Sequence, residues 1–344
     1  MTGNYFNIVQ YYWNIIEIIY GKPLPLHHTK IRCSFEMINR IIIRTKILQI
    51  VYAHYQKNSN DIKNAENELV RSLQHAYDLY YYLLSLVVLL TDSEQKKLDI
   101  QKHKYLLTDA DRSPNMRLAN NRLSEQIRIN KALQKFANTH NTMWNEDDSQ
   151  FLRNILNKIT TSDIYKEYLE SEDTYNSDKE FWRKIFKYIL LTDEDLNEIA
   201  NNRSIYVSDD LEIIGSFVVK TIKRFTPECG EEEELLPMFK DDDDYQYAIH
   251  LLHRTILEKD ENSERINKQI KNWELDRIAL MDLYIMQIAI TELKNFPTIP
   301  VNVTLNEYID LARYYSTPKS AHFINGILDA IVNELKSEKI LFKS

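Results

Sequence analysis

Few side chains in this sequence stand at the spacings that chemistry requires. His250 and His253 share a helix face at i, i+3, but no carboxylate or second pair stands at ligand spacing to complete a metal site. Glu194 and Glu198 lie one turn apart without the Glu-x-x-His partners of a di-iron bundle. Cys33 and Cys229 lack a neighbouring activating pattern, and two cysteines make neither a disulfide framework nor a Cys-based zinc site. The five glycines (Gly3, Gly21, Gly215, Gly230, Gly326) are too scattered for any phosphate-cradling GxGxxG or GxxxxGK loop. No catalytic residue, metal site or cofactor is therefore expected. What remains is anion recognition. Arg40 and Arg44, one turn apart, can reach the same stretch of phosphate backbone and release its counterions. Tyr315 and Phe323 flank Ser316-Thr317-Pro318-Lys319-Ser320, a short loop leading into a helix start. Free N–H groups and the positive dipole end there suit a phosphate, and flanking aromatics suit stacking on unpaired bases. Lys319 is the residue of this loop hardest to explain as core.

The elements that must position these residues are helices. With 344 residues, 44% of them hydrophobic and 27% charged, the chain is long enough for a sizeable core. Only 5 Gly and 8 Pro rule out a turn-dense β-sandwich or a collagen-like array. Met37 to Gln56 reads as a helix buried on more than one side, with Ile43, Ile47, Ile50 and His54 on one stripe and Ile38, Ile41, Leu48 and Val51 elsewhere. Asn60 or Asp61 caps a second helix expected to run to about Leu90, with Thr91-Asp92-Ser93 opening a polar stretch. Amphipathic helices with polar breaks follow to about Phe225. A five-helix pattern then covers Tyr245–Glu258, Glu261–Asn272, Asp276–Asn295, Thr304–Tyr315 and Pro318–Leu335. Thr304 and Glu307 have the spacing of a capping box, and Thr317-Pro318 that of a hydroxyl cap before an N-terminal proline. The fold class is all-α. Gly326, mid-helix, is expected to allow close helix–helix approach.

Charge is distributed unevenly along the chain. The net charge of −8 argues against global attraction to nucleic acid and leaves only a local patch. Glu231–Glu234 and Asp241–Asp244 surround Leu235-Leu236-Pro237, so 226–244 reads as an exposed, self-repelling linker. Met37 to Lys57 carries Arg40, Arg44, Lys46 and Lys57 with no acidic residue. Cysteine usage fits a reducing cytoplasm, and no run of eighteen apolar residues suggests a membrane span. Tyr11 to Tyr20 makes a poor signal peptide. Residues 1–36 are read as an N-terminal extension or the product of a mis-assigned start, for which Met37 would be the natural first residue.

The last helices carry a resemblance. Asp282, Glu292, Leu293, Pro300, Val301, Asn306, Glu307, Ser320, Phe323, Asn325, Gly326, Leu328 and Asp329 fall in the order and spacing typical of the NusB family. Arg40, Arg44, Gln49 and Tyr52 resemble that family's first helix. The sequence departs from the pattern at Gln287 and Thr291, where an Arg and a Tyr are frequent. The resemblance covers about 37–90 and 245–337. It implies a core of two small helix bundles split as 37–92 and 245–344, with a helical insertion over 93–244. It also implies a non-catalytic antitermination factor that pairs with NusE, a small-ribosomal-subunit protein, binds boxA RNA and makes RNA polymerase resistant to termination on ribosomal RNA operons. Under it, Arg40, Arg44, Tyr315, Lys319, Ser320 and Phe323 face RNA, while Tyr52 and Asp282 face the protein partner. The competing reading is a helical protein–protein scaffold without RNA affinity.

Overall fold

The computed structural model describes residues 37–57, 60–103, 114–140, 144, 146–206, 210–270, 278–317 and 319–341. Residues 1–36 lie outside these, as do Cys33, Trp273–Arg277 at the start of the motif-bearing segment, and Pro318. The described residues form fourteen α-helices and no strand. They are α1 (Arg40–Gln56), α2 (Ile62–Lys102), α3 (Arg122–Ile129), α4 (Lys131–Thr139), α5 (Ser149–Thr161), α6 (Asp163–Glu170), α7 (Tyr175–Ile185), α8 (Glu194–Arg203), α9 (Leu211–Arg224), α10 (Asp242–Leu257), α11 (Lys259–Gln269), α12 (Leu280–Asn295), α13 (Val301–Tyr315) and α14 (Ser320–Ser337). No helix among the described residues is long and apolar enough to cross a membrane.

Local chemistry explains the starts. Asn39 caps α1, its side-chain oxygen accepting from the Ile41 and Ile42 amides at 3.1 Å each. Asp61 caps α2 by accepting from the Asn64 amide at 2.9 Å. That second helix runs twelve residues beyond the expected end at Leu90. Thr91 turns its hydroxyl back to the Val87 carbonyl (2.8 Å) and across to Ser124 (2.8 Å), so a polar triplet is absorbed into the helix instead of ending it. At 41 residues, α2 is about 60 Å long. It packs against α1, α3, α5, α9 and α10. The helices α10, α12, α13 and α14 pack on one another, and α1 is laid against α2, α10 and α12.

Three expectations are overturned. Thr304 does not cap a helix, because α13 starts at Val301 and Thr304 is fully buried inside it. Its hydroxyl donates to Glu292 (2.8 Å), and Glu307 turns to Arg44 (3.3 Å). The helix after Thr317 begins at Ser320 and has no side-chain cap.

The acidic stretch 226–244 is mostly exposed, as expected, but it is tied to the fold rather than free. Leu236 is fully buried, its amide accepted by the Tyr80 hydroxyl (3.3 Å) and its carbonyl taken by Tyr77 (3.0 Å). The carbonyls of Pro237 and Met238 receive the Met37 and Ile38 amides at 2.9 and 2.8 Å. Lys131 neutralises Glu231 and Glu232. Asp241 caps α10, and Asp242–Asp244 fill its first turn, where the helix dipole favours acids. Apolar anchoring by Leu235-Leu236 outweighs the like-charge repulsion.

The third reversal concerns glycine. A Cβ built on Gly326 meets nothing within 4 Å, so no helix approaches it. A Cβ on Gly215, in α9, runs into the Leu191 side chain. Close approach therefore belongs to Gly215. Gly326→Ala should raise stability by about 0.5–1 kcal/mol through helix propensity. Gly215→Ala should lower it by roughly 1–2 kcal/mol, overpacking exceeding the propensity gain. Urea melts of the two variants, moving in opposite directions, check both.

Candidate functional site

Two of the four cations in the 37–57 segment turn inward. Arg44 is 3% exposed and grips Glu292, itself fully buried, with two parallel bonds, Nε to Oε2 at 2.8 Å and Nη2 to Oε1 at 2.9 Å. Tyr247 and Tyr308 also donate to Oε2 and Thr304 donates to Oε1, so each carboxylate oxygen accepts at least two bonds. The Arg44 guanidinium lies 5.8 Å from the ring centres of both tyrosines. Burial alone would push the Glu292 carboxyl up, but the guanidinium and hydroxyls overcome it and hold the carboxyl below its ordinary value. Burial likewise opposes the Arg44 charge, yet Tyr247 and Glu292 hold it well above its usual range. The hub ties α1 to α10, α12 and α13. Arg44 is therefore a core ion-pair residue, not a phosphate contact, because its donors are spent on Glu292 and Glu307.

Lys46 is also fully buried, its ammonium 2.6 Å from Asp210 and bonded to the Tyr206 carbonyl. Arg40 stays 40% exposed, paired with Asp244 at 3.2 Å and stacked over Tyr247 at 4.8 Å.

The loop between α13 and α14 is where the remaining candidates meet. Asp282, only 5% exposed near the start of α12, accepts the Ser316 hydroxyl. Ser316 lies 3.0 Å from the Ser320 hydroxyl, which in turn lies 2.8 Å from Thr317 Oγ1 and accepts the Thr317 amide at 3.3 Å. Ser320 is 4% exposed and spends its hydroxyl on this loop. It shapes the turn and offers no surface to a ligand. Asp282 acts likewise as an anchor beneath the loop, which leaves little of its carboxylate for an outside partner.

Above that anchor the surface is aromatic. Gln49 of α1 donates to the Tyr315 hydroxyl at 3.2 Å. Tyr314 meets Tyr315 edge-on at 4.8 Å, and Tyr52, 40% exposed, meets Tyr284 edge-on at 6.0 Å. Lys319 is exposed at the uncapped start of α14 and has no ion pair among the described residues, and Phe323 is half-exposed one turn on. The structure thus joins Tyr52, Asp282, Tyr315, Lys319, Ser320 and Phe323 in one region through Gln49 and Ser316. Arg40 stands nine residues before Gln49 on α1, roughly 14 Å along the helix axis.

Sequence reasoning missed the acceptor role of Glu292. The signal was a glutamate inside the apolar run Ala289-Ile290-Thr291-Glu292-Leu293. Gln287 and Thr291 are fully buried and bonded to Ser263 (2.8 Å) and Asn262 (2.9 Å), which fits polar replacements into the α11–α12 contact. His253 pairs with Glu66 at 2.9 Å. Among the described residues no group of three metal-ligating side chains is present.

Fold and site define an all-α protein built round a buried ion-pair hub, with an aromatic and hydroxyl-rich surface cluster where its last two helices meet. The family model of the NusB family matches residues 210–333. The transcription antitermination protein NusB of Salinibacter ruber is 35% identical over 133 residues, 37% of this chain and 83% of that protein. Its namesake from Natranaerobius thermophilus is 36% identical over 110 residues, 31% of this chain and 79% of that protein. That of Geotalea uraniireducens is 33% identical over 132 residues, 38% of this chain and 89% of that protein. The chain belongs to the NusB family. No solved structure matches it significantly. The match begins at Asp210, so it includes α9 and the acidic stretch that the sequence reading placed in the insertion.

Proposed function

We propose that this chain is a transcription antitermination factor that binds boxA RNA together with NusE, within the RNA polymerase antitermination complex on ribosomal RNA operons. Its relatives carry the name of transcription antitermination proteins. The observation that carries the RNA reading is the uncapped start of α14, where exposed Lys319 stands beside Tyr315 and Phe323 over a loop fixed by Asp282 and Ser316. Backbone N–H groups and an ammonium meet phosphate there, and the two rings meet unpaired bases. Arg40 adds a second, more distant phosphate contact. Tyr52, 40% exposed and edge-on to Tyr284, is the partner-facing side of the same region. In this reading 37–92 and 210–341 form the family core, and 93–209 is added to it.

The test is boxA binding by fluorescence anisotropy, with and without NusE, across a salt series and against a scrambled RNA. NusE should tighten boxA binding selectively. Lys319→Glu should weaken it and reduce the salt slope by about 1. Replacing Tyr315 or Phe323 by alanine should cost about 1–3 kcal/mol, roughly 5- to 150-fold in affinity. Equal affinity for boxA and scrambled RNA in the presence of NusE would overturn the reading and favour the scaffold alternative.

A further inference from the structure

Between α1, α2 and the turn after α8 lies a cavity of about 350 Å³. Ile50 and Ala53 of α1 form part of its wall, and Ile205 and Tyr206, from the stretch proposed as added to the family core, close it. Two buried polar side chains line it, His54 at 7% and Ser72 at 1% exposure. Neither has a hydrogen-bonding partner among the described residues. Both side chains line the cavity, so their donors and acceptors are open to whatever fills it. The closing wall is held in place. The Tyr206 ring stacks on His75 at 5.1 Å, its hydroxyl donates to Glu68, and its carbonyl takes the Lys46 ammonium. Ile205, 83% exposed, is the most exposed large apolar side chain described, and it stands where a bound ring would cover it.

We propose that this cavity receives a nucleobase, supplied either by a free nucleotide or by an unpaired residue of a bound RNA. The lining chooses the chemistry. Burial and the nearby Lys259 push the His54 imidazole down, which keeps it neutral near pH 7 with one donor and one acceptor nitrogen. Ser72 and Asn64 also both donate and accept. Apart from the Glu68 carboxylate, which takes the Tyr206 hydroxyl, and Lys57 at the rim, these groups are neutral and mixed and match the edge of a base. They do not suit a bare phosphate, which calls for cations, and a hydrocarbon would leave His54 and Ser72 unmet. The volume sits at the small end of roughly 300–1,000 Å³ ligand sites, which suits one ring system. Lys57, exposed at the rim, is placed for the attached phosphate. Gln49 lines the cavity and also holds Tyr315, so the cavity adjoins the loop already described.

The RNA source rests on the proposed function, whereas the free-nucleotide source does not, and the experiment separates them. The full chain is titrated with the four ribonucleosides and their 5′-monophosphates by calorimetry, and separately with single-stranded boxA RNA carrying 2-aminopurine at each position in turn. Ala53→Phe fills the cavity, and the double variant His54→Ala, Ser72→Ala replaces it as the probe if the first lowers Tm by more than about 5 °C. Saturable nucleotide binding that the variant weakens tenfold or more supports the free source, and Lys57→Ala should then remove the gain due to the phosphate. A 2-aminopurine fluorescence change at one position that the variant abolishes, while Lys319→Glu lowers overall RNA affinity, supports the RNA source. If the RNA does not bind at all, the proposed function fails while the nucleotide titration still decides the cavity. If no nucleotide binds and no RNA position responds to filling the cavity, the inference is overturned.

Discussion

Replacing Arg44 by alanine is expected to cost about 3–5 kcal/mol, because it leaves the fully buried Glu292 without its counter-charge. A fold of this kind has roughly 5–15 kcal/mol in all, so the loss is a large share. Lysine at the same position should restore only part of it, since one ammonium cannot reproduce the fork that meets both oxygens. The pH dependence follows from the direction of the shift. Glu292 is held below its unfolded value, so in the parent it contributes stability above roughly pH 4.5 that is lost as pH falls. Glu307 acts oppositely, since burial raises its carboxyl and its contribution fades as pH rises. Without Arg44, burial governs Glu292 and lifts its value, so the folded variant takes up a proton more readily than the unfolded chain. The gap between parent and variant should therefore be widest near pH 7 and shrink towards pH 4. Urea melts at the two pH values measure it. Arg44→Met with Glu292→Gln should recover much of the loss, because the amide oxygen still accepts from Tyr247 and Tyr308 while the amide NH2 donates to the Thr304 hydroxyl. A variant gap that stays constant across this range would show that the ion pair does not govern the site.

The same residue marks how far the sequence could be read. Helix positions, the Asp61 cap and the buried half of α2 follow from local patterns, in which partners lie within one turn. The loop holding Tyr315, Lys319 and Phe323 was legible for the same reason, since a helix start and its flanking aromatics are neighbours along the chain. The fate of the basic run was not. Arg40, Arg44 and Lys46 look alike in sequence, cations in a segment, 37–57, that holds no acid. Their partners Asp244, Glu292 and Asp210 stand 204, 248 and 164 positions away. Only the three-dimensional packing of α1 against α10 and α12 decides which cation is neutralised inside and which remains for a ligand. Gly326 and Gly215 teach the same lesson. Both sit mid-helix, and only the position of Leu191 tells them apart.

Removing Asp210 should cost about as much as removing Arg44, roughly 3–5 kcal/mol, for a related reason. The Lys46 ammonium is fully buried and 2.6 Å from Asp210 Oδ2, with the Tyr206 carbonyl as its other strong acceptor. Asp210 stands at the N-cap of α9 yet makes no side-chain cap bond, so the carboxylate serves the lysine instead of the helix. A cap is typically worth about 1 kcal/mol, less than the penalty of an unpaired buried ammonium, and that difference decides where the side chain points. Asp210→Asn keeps a polar oxygen beside the ammonium and should lose less than Asp210→Ala. Lys46→Met combined with Asp210→Ala should return to within about 1 kcal/mol of the parent, since a buried pair replaced by apolar groups is often neutral. The coupling energy from that double-mutant cycle, read by urea melts, is the deciding number. The pair joins α1, outside the matched stretch, to the first residue of the family match. It also fixes the Tyr206 carbonyl, and through it the wall of the cavity beside Gln49. Asp210→Ala should therefore loosen that wall as well as the fold, seen as faster amide exchange at Ile205 and Tyr206 than at α12. A coupling below about 0.5 kcal/mol would mean that apolar packing alone seats α1, with the ion pair a passenger.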